Sequence, residues 1–299
     1  MKQSSKSSHP GNPKVLAGLP AFNEEKYIGT IILKTKKHVD EVIIVDDGSE
    51  DQTAEIAGLA GATVIKHNKN KGYGASIQAL LAEARKRRPD IFVLLDADAQ
   101  HNPDEIPELI KPLAEGYDIV IGSREERKED IPRYRRLGQR VISFFSHILS
   151  GTDVVDSESG FRAFSGKAIE ALSLHENGMA ISAETIAEAT EKGLKITETP
   201  ISIRYTEDGS TLNPVVHGFE VLRRILVMIS EKKPLYFFGL GGIFFMVIGL
   251  IAGIQALRIV FTGGGAVNGW TLVSLLLLLV GVFSFFTGII LNAFTKRRI

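Results

Sequence analysis

Up to about Glu231 the chain alternates between short apolar runs and longer stretches whose apolar residues recur at helical spacing. The apolar runs predict buried strands at Lys14–Leu19, Glu41–Val45, Thr63–Ile65, Ile91–Leu95, Tyr117–Ile121 and Thr199–Tyr205. The longer stretches predict helices near Tyr27–His38, Gln52–Ala60, Ala75–Arg88, Pro103–Glu115, Gly166–Leu172 and Thr185–Lys192. Strands that alternate with helices predict an α/β fold with a mostly parallel sheet covered on both faces.

The pattern changes towards the C-terminus. Val215–Ser230 has apolar residues at helical spacing with Arg223 and Arg224 on its polar side, which is typical of a helix at a membrane interface. Leu235–Phe261 and Trp270–Phe294 are apolar throughout, and each is long enough to cross a hydrocarbon core that needs roughly 20 residues. The sequence therefore predicts a two-helix transmembrane hairpin after the α/β domain.

These patterns divide the chain into four predicted parts. They are a flexible, polar N-terminal tail at 1–13, the α/β domain at 14–213, the interfacial helix at 214–233 and the transmembrane hairpin at 234–299. The 35 basic and 35 acidic side chains balance, so no global charge favours nucleic acid as a partner. The absence of cysteine excludes disulfides, thiolate chemistry and zinc–thiolate sites.

The strongest candidate for chemistry is Asp96-Ala97-Asp98-Ala99-Gln100, which directly follows a predicted buried strand. Ligands of open α/β sheets bind just beyond the carboxyl ends of such strands. If the chain stays extended there, Asp96, Asp98 and Gln100 point to the same side, and their oxygens suit magnesium or manganese. The spacing alone is equally compatible with an acidic loop that only caps the next helix.

The turn after the first strand argues against a dinucleotide cofactor. A dinucleotide-binding domain needs Gly-x-Gly-x-x-Gly at this point, so that the backbone can approach the pyrophosphate. Here the turn reads Leu19-Pro20-Ala21-Phe22-Asn23-Glu24, which is bulky and acidic. Phosphates must be held in another way, and a metal ion is the simple solution.

Five short motifs in fixed order resemble those of family 2 glycosyltransferases with the GT-A fold. The motifs are Pro20–Glu25, Asp46–Ser49, Asp96-x-Asp98-x-Gln100, Gly122–Arg124 and Ser159–Arg162. Within that family they look most like the dolichyl-phosphate mannose synthase branch, and the resemblance covers roughly Lys14 to Asn213. It implies an inverting glycosyltransferase that moves a sugar from a nucleoside diphosphate sugar to a polyprenyl (dolichyl) phosphate.

The resemblance also implies roles for individual residues. The metal ligands would be Asp98 and Gln100, holding magnesium or manganese, and the catalytic residues would be Asp98, Arg124 and Arg140. The nucleotide sugar would contact Pro20, Ala21, Asn23, Glu24, Asp46, Asp47, Lys71, Asp96, Ala97 and Arg204. The acceptor phosphate would contact Arg124, Arg136, Arg140 and Ser143. Relatives of the mannose branch often carry a lysine where Thr211 stands, so the sugar stays open.

The segment Pro132–Leu149 combines a basic front with an apolar tail. A helix of this kind suits the membrane interface, where arginine side chains can grip phosphate with paired hydrogen bonds. A generic basic surface is the alternative interpretation. Lys232–Lys233 precede the hairpin and Lys296–Arg298 follow it, which predicts both termini and the catalytic domain on the cytoplasmic side. The glycines in Gly239–Gly242 permit close helix packing, including between copies of the chain.

Two other functional classes stay open. The acceptor could be a hydroxyl of a glycolipid, polysaccharide or protein, which would need a positioned base, with Glu184 as the candidate. A polyprenyl phosphate would need none, because a second pKa near 6 leaves a phosphate monoester largely as a dianion. The chain could also be a non-catalytic, membrane-tethered protein that binds nucleotide sugars.

Overall fold

The computed structural model describes residues 13–123, 145, 148, 156, 158–202, 214–263 and 269–295. The chain divides into two compact units, Met1–Leu222 and Arg223–Ile299. This division falls inside the predicted interfacial helix, so the predicted limits of the four parts stay predictions.

The described part of the first unit contains a seven-stranded sheet with strand order β3-β2-β1-β4-β6-β5-β7. Its strands are β1 Val15–Ala21, β2 Glu41–Asp46, β3 Thr63–Lys66, β4 Ile91–Leu94, β5 Ile119–Ser123, β6 Arg162–Ser165 and β7 Ile196–Pro200. All neighbouring pairs are parallel except those of β6, which is antiparallel to both β4 and β5. The predicted mostly parallel α/β sheet is confirmed.

The helices follow the predicted alternation. In the first unit they are α1 Ile28–Thr35, α2 Thr53–Leu59, α3 Tyr73–Arg87, α4 Ile106–Ala114, α5 Gly166–Ala171 and α6 Ile181–Glu191. Helix α7 Pro214–Lys232 crosses the division between the units, and α8 Leu240–Phe261 and α9 Gly269–Thr295 form the second unit. In α7, Arg223 and Arg224 are exposed while Ile225 is buried, so the helix has the two faces that its spacing predicts.

Hydrophobic cores cover both faces of the sheet because successive strand residues point to opposite sides. In β4, Phe92 and Leu94 belong to the core that includes residues of α3, α5 and α6. Val93 and the following Leu95 belong to the core that includes residues of α1 and α4. A strand that is covered by a core on both faces needs apolar side chains at successive positions, so it appears in the sequence as a continuous apolar run. This is why the sequence predicts these strands.

Two strands differ from the sequence prediction. Strand β6 was not predicted, because Arg162-Ala163-Phe164-Ser165 contains no apolar run and its pairing depends on residues far away in sequence. Strand β7 begins at Ile196, earlier than the predicted Thr199–Tyr205, because it is half-buried and reads Ile-Thr-Glu-Thr-Pro. The end of the predicted strand, from residue 203, lies outside the described residues.

Helix α3 begins against residues 175–178, here called the 175–178 loop. The backbone N–H groups of Gly74 and Ala75 both donate to the carbonyl of Asn177, at 2.8 and 3.3 Å. Gly74 permits this approach, since a Cβ there would meet the Glu176 carbonyl well inside contact distance and lie 2.8 Å from the Gly178 carbonyl. The loop thus satisfies the free N–H groups that open the helix.

The second unit is a helical hairpin with a π-helical turn, Leu235–Gly239, before α8. Its segments Leu235–Phe261 and Gly269–Phe294 are long and apolar enough to cross a membrane. Glycines lie where α8 and α9 approach most closely; a Cβ on Gly242 would lie 2.6 Å from the Gly281 carbonyl. The close packing that Gly242 permits is therefore made within one chain, which gives no support to an assembly of copies through this residue.

The contact between Gly74 and the 175–178 loop predicts a stability difference between two glycine substitutions. Gly74→Ala should lower the free energy of unfolding by about 1–3 kcal/mol, because its methyl group displaces the loop. Gly58→Ala, in α2, meets no atom within 4 Å and should be neutral or stabilising by up to about 1 kcal/mol. Thermal unfolding of the full-length variants in detergent, followed by circular dichroism, makes the comparison; equal melting temperatures would contradict the packing described.

Candidate functional site

The carboxyl ends of the parallel strands β1, β2 and β4 lie at one edge of the sheet. Ala21 at the end of β1 pairs with Asp46 at the end of β2, and β4 runs beside β1 in the same direction. The segments that leave these strands carry most of the predicted donor and metal residues. The fold therefore brings them together at the edge where open α/β sheets bind ligands.

The segment after β1 is hydrogen-bonded to the segment after β2. Asn23 has a positive φ of 57°, in the left-handed region that asparagine tolerates better than most residues. Its N–H donates to Ser49 Oγ and its Oδ1 accepts from the Glu50 N–H, both at 2.9 Å. The Glu24 N–H donates to Thr53 Oγ1 at 2.7 Å. These contacts fix the backbone that carries the Glu24 carboxyl group.

Asp46 and Asp47 are both buried, and the carboxylate of each accepts hydrogen bonding from backbone N–H. Asp46 accepts a hydrogen bond from an N–H of its own turn. Asp47 Oδ1 lies 2.6 Å from Nδ1 of His67, and the carboxylate accepts the backbone N–H groups of Lys71 at 3.0 Å and Gly72 at 2.8 Å. Asp47 therefore fixes the turn that leads into α3, while the Lys71 residue is exposed. The predicted contacts of these residues with a nucleotide stay predictions.

The acidic motif Asp96–Gln100 turns instead of continuing the strand. Asp98 Oδ1 accepts the Gln100 N–H at 3.0 Å, and Ala99 has a positive φ of 63°. The extended backbone considered for this segment is therefore not formed, because the aspartate hydrogen-bonds the backbone two residues ahead, as in an Asx turn. The three polar residues of the motif are each partly exposed at the edge of the sheet.

The Asp96 carboxylate lies among three neighbours. The Tyr73 hydroxyl donates to Oδ1 at 2.9 Å. His101 Nδ1 lies 3.8 Å from Oδ2, and its ring stacks on Phe161 with centroids 5.3 Å apart. Gly160 packs against the carboxylate so closely that a Cβ there would lie 2.8 Å from Oδ1. Burial, and then the charge and hydrogen bond of Asp96, raise the pKa of Tyr73 well above its ordinary value, so the phenol stays a donor.

Sequence analysis did not predict Tyr73, His101 or Arg162 as residues of the site. Arg162 is buried in β6 and donates from Nε to the Ser159 carbonyl at 2.8 Å and from its guanidinium to the Ser182 carbonyl at 3.2 Å. Only the positions of these residues in the sequence could have indicated a role in the site. Tyr73 follows the glycine turn, His101 follows the acidic motif, and Arg162 is the last residue of the motif Ser159–Arg162.

Like charges accumulate at this edge. Burial, and then the charges of Asp98, Asp51 and Asp96, raise the pKa of Glu24 to about 7. Burial, and then the charge of Asp96, also raise the pKa of Asp98 above its ordinary value. A divalent cation would relieve this repulsion, and oxygen ligands suit magnesium and manganese.

The predicted ligand pair Asp98 and Gln100 fits such an ion as a partial ligand set. In the part of the chain that the structure describes, no three His, Asp or Glu side chains are arranged as a complete metal site. Two protein ligands leave coordination positions for water and for the diphosphate of a nucleotide, which is how magnesium is usually held. The chemistry of the residues present therefore fits a cation bound together with a nucleotide.

The carboxylate of Glu184 forms hydrogen bonds with backbone. It lies in the first turn of α6, is buried, and its carboxylate accepts the N–H groups of His175 at 3.1 Å and Glu176 at 2.8 Å. These bonds hold the 175–178 loop. A general base needs a free oxygen directed at the acceptor hydroxyl, and this geometry gives Glu184 another task.

The structure brings one group of predicted residues to the sheet edge and its adjoining turns: Pro20, Ala21, Asn23, Glu24, Asp46, Asp47, Lys71, Asp96, Ala97, Asp98 and Gln100. A second group lies outside the described residues: Arg124, Arg136, Arg140, Ser143 and Arg204. Of the predicted basic helix Pro132–Leu149, the structure describes Phe145 and Ile148, both helical.

A family model described as glycosyl transferase family 2 matches residues 17–172. This range includes Glu24, Asp96 and Asp98, the carboxylates at the edge of the sheet. The chain belongs to glycosyl transferase family 2. It is therefore an enzyme, and the resemblance that its motifs show is confirmed.

Two relatives illustrate what the chain is similar to. It is 34% identical to the UDP-N-acetylglucosamine–dolichyl-phosphate N-acetylglucosaminyltransferase of Methanococcus voltae over 239 residues, covering 72% of this chain and 95% of the relative. It is 31% identical to a dolichyl-phosphate hexose transferase of Haloferax volcanii over 216 residues, covering 71% of this chain and 92% of the relative.

A solved structure supports the fold. Glucosyl-3-phosphoglycerate synthase of Mycobacterium tuberculosis, crystallised with Mn²⁺, UDP and glucosyl-3-phosphoglycerate, superposes with a TM-score of 0.58. The match covers 73% of this chain and 79% of that one at 22% identity. The family 2 sheet and its flanking helices are thus confirmed.

The raised pKa of Glu24 predicts a pH-dependent affinity for Mn²⁺. Near pH 7 this carboxyl is partly protonated, and its negative charge close to Asp98 would favour a cation there, so the affinity should fall as the pH is lowered from about 8 to about 6. Glu24→Gln should flatten the dependence, leaving the part that belongs to Asp98. Electron paramagnetic resonance of Mn²⁺ titrated into the full-length protein measures it. Glu50→Gln, at an exposed position, should keep the wild-type slope; the same slope in Glu24→Gln would refute the assignment.

Proposed function

We propose that this family 2 enzyme transfers a sugar from a nucleoside diphosphate sugar to a polyprenyl (dolichyl) phosphate. The observation that carries the proposal is the carboxylate edge formed by Glu24, Asp96 and Asp98, where packed like charges favour a cation and, through it, a diphosphate. The two dolichyl-phosphate transferases to which the chain is similar support the acceptor class.

The donor binds along the edge of the sheet in this proposal. The nucleotide and sugar contact the predicted residues Pro20, Ala21, Asn23, Glu24, Asp46, Asp47, Lys71, Asp96, Ala97 and Arg204. Asp98 and Gln100 would hold magnesium or manganese, and the ion would supply Lewis-acid stabilisation of the leaving diphosphate. Asp96 would face the nucleotide, with its carboxylate hydrogen-bonded by the Tyr73 hydroxyl and packed against Gly160.

The acceptor is a phosphate dianion, so the reaction needs no proton transfer. A phosphate oxygen forms a bond to the anomeric carbon while the bond from that carbon to the diphosphate breaks, and the nucleoside diphosphate leaves. Displacement from the opposite side inverts the anomeric configuration. Arg124, Arg136, Arg140 and Ser143 orient the phosphate, which is the main task left to the protein.

The engagement of Glu184 favours the phosphate acceptor over a hydroxyl. A hydroxyl must lose a proton as it attacks, and Glu184 is the base that the sequence offered for this step. Its buried carboxylate instead accepts the N–H groups of His175 and Glu176. An acceptor that arrives already ionised does not require this residue as a base.

The hairpin places the enzyme at its lipid substrate. Its two apolar segments cross the membrane, and the basic residues Lys232–Lys233 and Lys296–Arg298 keep both ends on the cytoplasmic side. The catalytic domain then faces the cytoplasmic nucleotide sugars, while the amphipathic helix α7 lies at the interface.

Loss of the Asp98 charge tests the proposal. Asp98→Asn should lower sugar transfer to dolichyl phosphate by about 10²-fold or more, because the leaving diphosphate loses the cation that stabilises it. The assay uses membranes that contain the full-length protein, a panel of uridine and guanosine diphosphate sugars, and detection of the lipid product.

Asp104→Asn provides the matched control, since it changes the same group on an exposed residue near the motif. This variant should keep wild-type transfer. If Asp98→Asn turns over like the wild type at equal protein levels, the metal role of Asp98 is refuted. If the wild type forms no lipid-linked sugar from any donor of the panel, the proposed transfer itself fails.

A further inference from the structure

The hydroxyl of Tyr73 is the one hydrogen-bond donor from α3 that reaches the Asp96 carboxylate among the described contacts, at 2.9 Å. Tyr73 is the first residue of α3, and its ring packs against the core on that side of the sheet. It is not a motif residue of the acidic edge and has no part in the transfer steps above. Those steps therefore give no use to its contact with Asp96.

The backbone that carries Tyr73 is held from two sides. On one side the Asp47 carboxylate accepts the N–H groups of Lys71 and Gly72, the two residues that precede it. On the other side the Asn177 carbonyl accepts the N–H groups of the next two residues. Four backbone hydrogen bonds, two on each side of Tyr73, leave the start of α3 little freedom. The position of the Tyr73 backbone, from which the phenol extends, is therefore fixed.

The 175–178 loop is held in turn by Glu184. The Glu184 carboxylate accepts the N–H groups of His175 and Glu176, and Gln78 of α3 donates to the Glu176 carbonyl at 2.9 Å. Hydrogen bonds thus connect α6 through this loop to the start of α3, the helix whose first residue is Tyr73.

Gly160 packs closely against the Asp96 carboxylate. Gly160 leaves no room for a Cβ beside it, and His101 Nδ1 lies 3.8 Å from Oδ2. A carboxylate that rotates about χ2 would lose the Tyr73 hydrogen bond or meet Gly160. Its orientation is therefore determined by the protein before any ligand arrives, which is what a binding site built for high affinity requires.

We propose that Tyr73 is a positioning residue, whose hydrogen bond holds the Asp96 carboxylate in the orientation that the nucleotide–cation complex binds. This inference rests on the proposed function, because it assigns a use to Asp96 at the donor site. It predicts that removal of the phenol hydroxyl weakens binding of the donor more than it slows the chemical step.

Tyr73→Phe in the full-length protein tests the proposal with Mn²⁺ and UDP as probes. Electron paramagnetic resonance should show about tenfold weaker Mn²⁺ binding in the presence of UDP, the size expected for a lost hydrogen bond to a charged group. In the transfer assay the KM for the nucleotide sugar should rise by about the same factor, with kcat within about threefold. Tyr117→Phe removes the same hydroxyl from a tyrosine beside β5 and should change neither quantity.

Gly160→Ala places a methyl group against the Asp96 carboxylate and so displaces it, which provides a second variant if Tyr73→Phe folds poorly. It should weaken Mn²⁺–UDP binding as well. If Tyr73→Phe is folded and binds Mn²⁺–UDP like the wild type, or lowers only the melting temperature, the positioning role is overturned. If the wild type itself binds no Mn²⁺ with any nucleoside diphosphate, the proposed function fails and the inference fails with it.

Discussion

Repulsion among the carboxylates at one edge of the sheet is the constraint on which the site depends. Parallel strands β1 and β4 end side by side, so Glu24 and the motif Asp96–Gln100 meet where burial weakens screening by water. The pKa of Glu24 rises to about 7 and that of Asp98 rises above its ordinary value as a result. Such a cluster costs stability on its own, and in the proposed function a cation shared with a diphosphate would turn that cost into affinity.

Buried polar side chains around this edge form hydrogen bonds with backbone groups, which indicates a structural role for them. Asp47 and Glu184 are of the residue type that can bind a ligand or act as a base, yet the carboxylate of each accepts hydrogen bonds from backbone N–H groups of a turn. Arg162 likewise donates to two carbonyls. The turns held in this way carry the start of α3 and with it Tyr73, whose hydroxyl donates to Asp96. In a transfer to an acceptor that is already ionised, orientation and charge stabilisation are the main contributions that a protein can make.

Much of the fold was predictable from local pattern, because strands buried on both faces read as apolar runs and the intervening helices show their own period. Strand β6 was not, since Arg162–Ser165 pairs with β4 and β5 over long sequence distances. The order of the motifs located the acidic edge. The contact of Tyr73 with Asp96 joins residues 23 apart in sequence and depends on how α3 is seated, which no spacing rule encodes. The turn at Asp98 also escaped prediction, because a side-chain hydrogen bond to backbone overrode the extended strand.

The most direct measurement is the identity of the glycosylated product. Full-length protein in membranes, supplied with several nucleotide sugars, Mn²⁺ and either dolichyl phosphate or dolichol, can be assayed by mass spectrometry of the lipids. We expect a dolichyl-phosphate-linked sugar from one donor and no product from dolichol, because only the phosphate is ionised without a base. Transfer to dolichol or another hydroxyl, with no product from dolichyl phosphate, would contradict it.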